Sequence, residues 1–108
     1  MPDPEQDNRR FPRMPSANVA LVKSLSAEGS EDFAKTRSMG LGGCGLHSRE
    51  PLGVGTPLEL LISVEQRVVS VRGRVVYEHP EADGWEAGVE FLDLDPDARE
   101  AIGRLLGG

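Results

Sequence analysis

The stretch at residues 58–77 reads LELLISVEQRVVSVRGRVVY and decides the fold. Apolar and polar residues alternate along 58–64 and again along 68–77. A period of two residues is typical of a β-strand with one buried face. Glu65-Gln66 separates the two runs, which predicts a hairpin of antiparallel strands. The predicted inner face comprises Leu58, Leu60, Ile62, Val64, Val69, Val71, Gly73, Val75 and Tyr77.

Further short strands are predicted on both sides of this hairpin. Downstream, residues 79–84 carry turn signals and residues 85–92 alternate again, with Trp85, Ala87, Val89 and Phe91 on one face. Upstream, strands are predicted at 17–25, 32–37 and 44–46, with a turn at 26–30 after the first of them. Six short strands joined by tight turns predict a small antiparallel β-barrel, because closure removes the exposed sheet edges.

The end of the chain changes to a helical pattern. Asp95 is suited to cap a helix, Pro96 to occupy its first position and Asp97 to complement its dipole. An apolar stripe follows at Ala98, Ala101, Ile102, Leu105 and Leu106. We therefore predict a six-stranded antiparallel β-barrel, capped by a C-terminal α-helix, over residues 17–108.

Composition limits the classes of protein to consider. The chain has 108 residues, enough for one small core, and its 12 basic and 18 acidic residues give a net charge of −6. This charge argues against general affinity for nucleic acid or anionic membranes. The apolar runs are too short to span a bilayer and no leader opens the chain. We expect a cytoplasmic protein, and the single Cys44 is compatible with a reducing compartment.

Two segments precede the predicted barrel. Residues 1–8 contain two prolines and three acids, a composition that predicts a disordered tail. Residues 9–16 form an arginine-containing strap, kept out of a helix by Pro12 and Pro15. Its guanidiniums, Arg9 and Arg13, could close on one anionic or planar ligand. The alternative is a solvated basic patch that offsets the acids of the tail.

A second unusual stretch is Ser38-Met39-Gly40-Leu41-Gly42-Gly43-Cys44-Gly45-Leu46. Each glycine in an ordered element costs roughly 0.5–1 kcal/mol relative to alanine, so four glycines in nine residues need a reason. The reason is either a sharp turn at positive φ or a backbone that another group approaches closely.

Enzymatic and metal-dependent functions have no clear basis in the sequence. His47, His79 and Cys44 are not accompanied by partners at the spacing of a nucleophilic or paired-carboxylate site. Cys44 and His47 offer two ligands at most, whereas a zinc site needs three or four. We therefore expect a binding protein with neither a catalytic residue nor a metal site.

Read together, the two stretches resemble the motifs of the PilZ domain family. Arg9-Arg10-Phe11-Pro12-Arg13 is similar to the arginine-x3-arginine motif that opens these domains. Ser38–Leu46 resembles the second PilZ motif, an Asp or Asn, then x, Ser, two variable residues and Gly. The strand opening at Gly55-Thr56-Pro57, the strand at Gly73–Val76 and the run Ala87–Phe91 also resemble the family. The resemblance covers nearly all of the chain from Arg9.

The resemblance implies a receptor for the bacterial second messenger cyclic di-GMP (c-di-GMP). Carried over by position, Arg9 and Arg13 take the arginine roles and Gly43 the glycine role. Arg10 is an additional contact, and Ser38 and Gly40 face a base edge. Ligand binding would order the strap and thereby change the surface offered to a partner in motility, pilus or envelope assembly.

Two positions depart from the family pattern. Ser38 stands where the family has Asp or Asn, and Gly40 stands where it has Ser. Weaker hydrogen bonding at both positions predicts an affinity reduced by roughly 10- to 1,000-fold. Two other interpretations stay open: a PilZ-like interaction module that does not bind c-di-GMP, and an unrelated small barrel. Oligonucleotide-binding barrels carry a basic groove rich in aromatic residues, whereas this chain is acidic and 5% aromatic, which argues against that class.

Overall fold

A computed structural model of the chain describes residues 14–26 and 29–107. These residues form seven β-strands and one α-helix. In chain order they are β1 (Met14–Pro15), β2 (Val19–Ser24), β3 (Glu31–Met39), β4 (Gly43–Ser48), β5 (Pro57–Val64), β6 (Arg67–Glu81), β7 (Gly84–Leu94) and α1 (Pro96–Leu105).

Six of these strands close into an antiparallel barrel. Their order around the barrel is β3, β2, β5, β6, β7 and β4, and β4 pairs back with β3. The short strand β1 lies outside the ring and pairs with the end of β3, Met14 opposite Met39 and Pro15 opposite Ser38. The predicted barrel with a C-terminal helix is confirmed, with β1 as one additional strand.

The core fills the barrel because inward positions carry apolar side chains. Along β5, Leu58, Leu60, Ile62 and Val64 are fully buried, as the alternation predicts. Burying one side chain of this size stabilises the fold by roughly 1.5–3 kcal/mol. The helix α1 contributes Ala98, Ala101 and Ile102 to the same core. Among the described residues no helix has the length and apolar character that a bilayer crossing requires.

The hairpin of β6 and β7 is longer than the sequence predicts. Residues 79–84 were expected to form a turn, but β6 continues to Glu81 and β7 begins at Gly84. Only Ala82 and Asp83 connect the strands, and Gly84 adopts a φ of +150° beside them. Pro80 is tolerated because β5 pairs with β6 only as far as Arg74, so the missing N–H interrupts no second ladder.

Tyr77 lies on the outer face of the barrel, so its predicted inward position is wrong. The register of β6 against β7 shifts between Val75 and Tyr77, which leaves Val76 as an extra residue. Such a bulge reverses the faces of the residues that follow it. Val75 is therefore buried, whereas Tyr77 is 37% exposed.

The start of α1 follows the predicted capping pattern. The Asp95 carboxylate accepts a hydrogen bond from the Ala98 backbone N–H at 2.8 Å, and Pro96 occupies the first turn. An N-cap of this kind is worth about 1 kcal/mol, within a range of roughly 0.5–2 kcal/mol. We expect Asp95→Ala to lower the free energy of unfolding by that amount in urea titrations followed by circular dichroism.

A matched control is Asp93→Ala, which removes an exposed carboxylate two residues upstream. It loses the same charge without touching the cap, so its free energy of unfolding should stay within about 0.5 kcal/mol of wild type. Equal stability of the Asp95→Ala and Asp93→Ala proteins would contradict the capping role.

Candidate functional site

The second predicted motif folds into one tight segment between β3 and β4. Ser38 lies near the end of β3, and the Gly40 N–H donates to the Gly43 carbonyl at 2.9 Å, which closes a turn. Gly40 and Gly43 are both buried, whereas Ser38 is half-buried. The other predicted site residues, Arg9, Arg10 and Arg13, lie outside the described residues, as do tail residues 1–8.

A bulge in β3 directs Ser38 toward the neighbouring strand. The register against β4 shifts between Thr36 and Ser38, so Arg37 has no direct partner there. The Ser38 hydroxyl oxygen accepts a hydrogen bond from the Gly45 N–H at 3.1 Å. Its own proton is left to donate to a further acceptor.

None of the four glycines in residues 38–46 has a positive φ, and Gly45 serves close approach. A Cβ on Gly45 would lie 2.9 Å from the Ser38 hydroxyl oxygen, closer than real Cβ contacts. The positive-φ glycines of the described residues all lie elsewhere in the chain, at Gly29, Gly53, Gly55, Gly84 and Gly107. Of the two reasons offered by the sequence, close approach therefore accounts for Gly45.

Ser38 belongs to a row of residues that crosses four strands. Ser38 pairs with Gly45, Gly45 with Gly88 and Gly88 with Tyr77. Directly paired residues of antiparallel strands share a face. The flanking residues of β4, Cys44 and Leu46, are fully buried, so the row faces outward. With strands about 4.8 Å apart, it spans about 14 Å. We call Ser38, Gly45, Gly88 and Tyr77 the outer row.

Two buried glycines, Gly45 and Gly88, lie in the middle of the outer row. The Tyr77 ring lies across Gly88, because a Cβ there would stand 2.0 Å from Tyr77 Cε2. Tyr77 therefore covers Gly88, and the Ser38 hydroxyl covers Gly45. Pro15 of β1 pairs with Ser38, so the strand that follows the arginine motif joins the barrel beside the row.

Charged side chains surround the Tyr77 end of the row. Arg37 Nη1 lies 2.7 Å from Glu81 Oε2 and 3.3 Å from Glu86 Oε1. The hydrogen bond to Glu81 raises the pKa of Arg37 above its ordinary value. Glu86 also accepts a hydrogen bond from the Tyr77 hydroxyl at 3.3 Å. The His79 ring stacks on Tyr77 with centroids 5.8 Å apart, which supports the tyrosine ring from one side.

Sequence reasoning missed Tyr77, Gly45 and Gly88 as members of this surface. The signal available was glycine at an outward position of a strand, since Gly88 alternates with Glu86 and Glu90 on the polar face of β7. A glycine there does not pack in the core, and it indicates that another group approaches the backbone from the outer face, as the Tyr77 ring does here.

The family model of the PilZ domain matches residues 7–108. The chain belongs to the PilZ domain family. The matched range includes Arg9, Arg13 and all of the outer row. No curated protein sequence matches the chain.

Solved structures of PilZ proteins share the fold at low sequence identity. The c-di-GMP-bound PilZ domain of YcgR from Escherichia coli has a TM-score of 0.71 at 15% identity, covering 92% of this chain and 88% of that one. MotI/DgrA of Bacillus subtilis, an inhibitor of motility, has a TM-score of 0.72 at 18% identity, with 99% and 57% covered.

A third similar structure is the MrkH complex with c-di-GMP from K. pneumonia. Its TM-score is 0.69 at 17% identity, covering 91% of this chain and 50% of that chain. The present PilZ chain therefore spans only about half the length of MotI and MrkH. At these identities the likeness shows the PilZ fold.

Proposed function

We propose that this PilZ domain is a non-enzymatic receptor for c-di-GMP that binds the nucleotide on the outer row. The observation that carries the proposal is the outer row, in which the Tyr77 ring lies over Gly88 and the Ser38 hydroxyl packs on Gly45. Glycine at position 88 lets the Tyr77 ring lie against the strand while Tyr77 remains 37% exposed. The exposed aromatic ring offers a stacking partner for a base.

The position of β1 supports a role for the arginine motif at the same surface. Met14 directly follows Arg13 and pairs with Met39, one residue from Ser38. The first described residue after the arginine motif therefore lies beside this end of the row. We propose that Arg9 and Arg13 bind the phosphates and a guanine edge, with Arg10 as an additional contact.

The second motif supplies fewer polar groups than the family pattern. The Ser38 hydroxyl already accepts from the Gly45 N–H, so its proton is what remains for a ligand acceptor. Gly40 and Gly43 contribute backbone alone at the turn. We therefore propose a lower affinity than Asp or Asn and Ser would give at positions 38 and 40.

Ligand binding would act on a partner through the strap. Placing residues 9–13 over the outer row would change the surface beside β3, where β1 already pairs, and a partner protein would bind the changed surface differently. We propose a partner in motility, pilus or envelope assembly, acting in the cytoplasm. Support for motility is the likeness to MotI, an inhibitor of motility.

Calorimetric titration tests the proposal directly. The full chain is titrated with c-di-GMP and, as matched comparators, with cyclic di-AMP and GMP. We expect saturable heat with c-di-GMP and weaker binding of both comparators, because arginine contacts to guanine discriminate it from adenine and one GMP carries half the ligand. No heat at about 1 mM c-di-GMP would mean a binding free energy weaker than about −4 kcal/mol. That result would contradict the receptor and leave a PilZ-like interaction module that does not bind c-di-GMP.

A further inference from the structure

A histidine and two carboxylates meet at the tip of the β6–β7 hairpin, beside β4. His47, Glu81 and Asp83 each offer one ligand atom, and these atoms all lie within 4.8 Å of one another. We call them the hairpin cluster. The sequence predicts no metal site because Cys44 and His47 offer two ligands at most, whereas Asp83 lies 36 residues after His47. The unexpectedly long hairpin brings both carboxylates back to the histidine.

The distances in the hairpin cluster suit a small cation. His47 Nε2 lies 3.3 Å from Asp83 Oδ1 and 3.8 Å from Glu81 Oε1. Tetrahedral ligands at metal distances of about 2.1 Å stand about 3.4 Å from one another. The two distances from His47 Nε2 are close to that value, and the two carboxylate oxygens lie within 4.8 Å of each other.

Glu81 is held in an orientation that leaves one oxygen for such an ion. Its Oε2 accepts from Arg37 Nη1 at 2.7 Å. Its Oε1 is shielded from solvent and, within the described residues, has no hydrogen-bond partner. A shielded carboxylate oxygen without a partner is unfavourable, and a cation would satisfy it. Arg37 would then orient the ligand from outside, as outer-shell groups do in metal sites.

The turn residue Gly84 packs the hairpin tightly against the histidine. A Cβ on Gly84 would lie 2.4 Å from the Ser48 carbonyl oxygen and 3.0 Å from His47 Nε2. Its φ of +150° also favours glycine. Glycine at this position allows the approach that places Asp83 beside His47.

We propose that the hairpin cluster binds a divalent transition metal ion, with Zn²⁺ as its best match. Imidazole nitrogen with two carboxylate oxygens suits zinc and its neighbours, whereas Mg²⁺ and Ca²⁺ prefer all-oxygen sites. Water would complete the coordination. None of its three ligands belongs to the outer row, and the proposal does not depend on c-di-GMP.

Titration of chelator-treated full chain with zinc chloride, followed by calorimetry, tests this site. We expect one Zn²⁺ per chain and no comparable heat with magnesium chloride. His47→Gln and Asp83→Asn each remove a ligand and should weaken zinc binding at least about tenfold. Mutating an outer-shell partner already costs about 10- to 100-fold, and losing a ligand should cost no less. The matched control His79→Gln removes a histidine that is 56% exposed and outside the cluster. This variant should bind zinc with the wild-type affinity.

Several outcomes would overturn the site. Absence of zinc binding at about 0.1 mM would reduce the hairpin cluster to an ion pair of His47 with its carboxylates. Equal losses in His79→Gln and His47→Gln would show binding by surface histidines in general. Asp83 is 82% exposed, so Asp83→Asn keeps the test valid even if His47→Gln perturbs the fold. Unchanged zinc affinity in Asp83→Asn would exclude the proposed ligand set.

Discussion

Replacing Arg9 and Arg13 together with alanine is expected to lower the affinity for c-di-GMP by at least about 100-fold. Hydrogen bonds to a charged group contribute roughly 1.5–3 kcal/mol each, and both arginines are proposed to contact phosphate or guanine. The chain as a whole carries a charge of −6, so a dianionic ligand depends on local cations. Calorimetric titration of the double variant beside wild type measures the loss.

Net charge needs its own control in this experiment. Arg99→Ala with Arg104→Ala removes the same number of positive charges from α1, a helix that contributes side chains to the core and no residue to the outer row. This double variant should bind c-di-GMP within about threefold of wild type, since exposed distant charges are screened by salt. Equal losses in the two double variants would assign the effect to net charge. Wild-type affinity without Arg9 and Arg13 would remove the strap from the site.

The barrel could be predicted because its physical basis lies in local sequence. Alternation along β5 and the first part of β6 fixes which side chains are inward, and the buried residues follow it as far as Val75. The capping of α1 by Asp95 is equally local, since donor and acceptor are three residues apart. These features need no knowledge of distant contacts.

The outer row could not be predicted because it depends on register between strands. One extra residue at Val76 turns Tyr77 outward, and nothing in the alternation of β6 marks the shift. The row then forms only when β6, β7, β4 and β3 lie side by side. Gly45 was quoted within a glycine-rich stretch, but its partner Gly88 is distant in sequence.

The hairpin cluster escaped prediction for a related reason. Residues 79–84 carry the proline, aspartate and glycine typical of a loop, and that composition led to a turn assignment. The strands instead continue to Glu81 and Gly84, which moves Asp83 to the tip of a two-residue connection. Composition indicated where the chain reverses, whereas the length of the ladder decided which side chains meet.

Gly88→Ala is expected to weaken c-di-GMP binding by roughly 10- to 100-fold while the barrel stays folded. The new Cβ would overlap the Tyr77 ring, with its Cε2 at 2.0 Å, so the ring must leave its place over β7. Loss of aromatic stacking costs roughly 1–3 kcal/mol per base. Tyr77 is 37% exposed and can rotate into solvent, so the free energy of unfolding should change by only about 1 kcal/mol.

A double-mutant cycle with Tyr77→Ala decides whether the glycine acts through the ring. Both single variants should lose affinity by similar factors, and the double variant should lose no more than either, because each removes the same stacking contact. Gly103→Ala is the matched control: it changes a glycine of α1 whose Cβ would meet nothing within 4 Å, and should leave affinity unchanged. Additive losses would indicate that Gly88 contacts the ligand itself through its backbone. Wild-type affinity in both single variants, in a protein that binds c-di-GMP, would place the nucleotide away from the outer row.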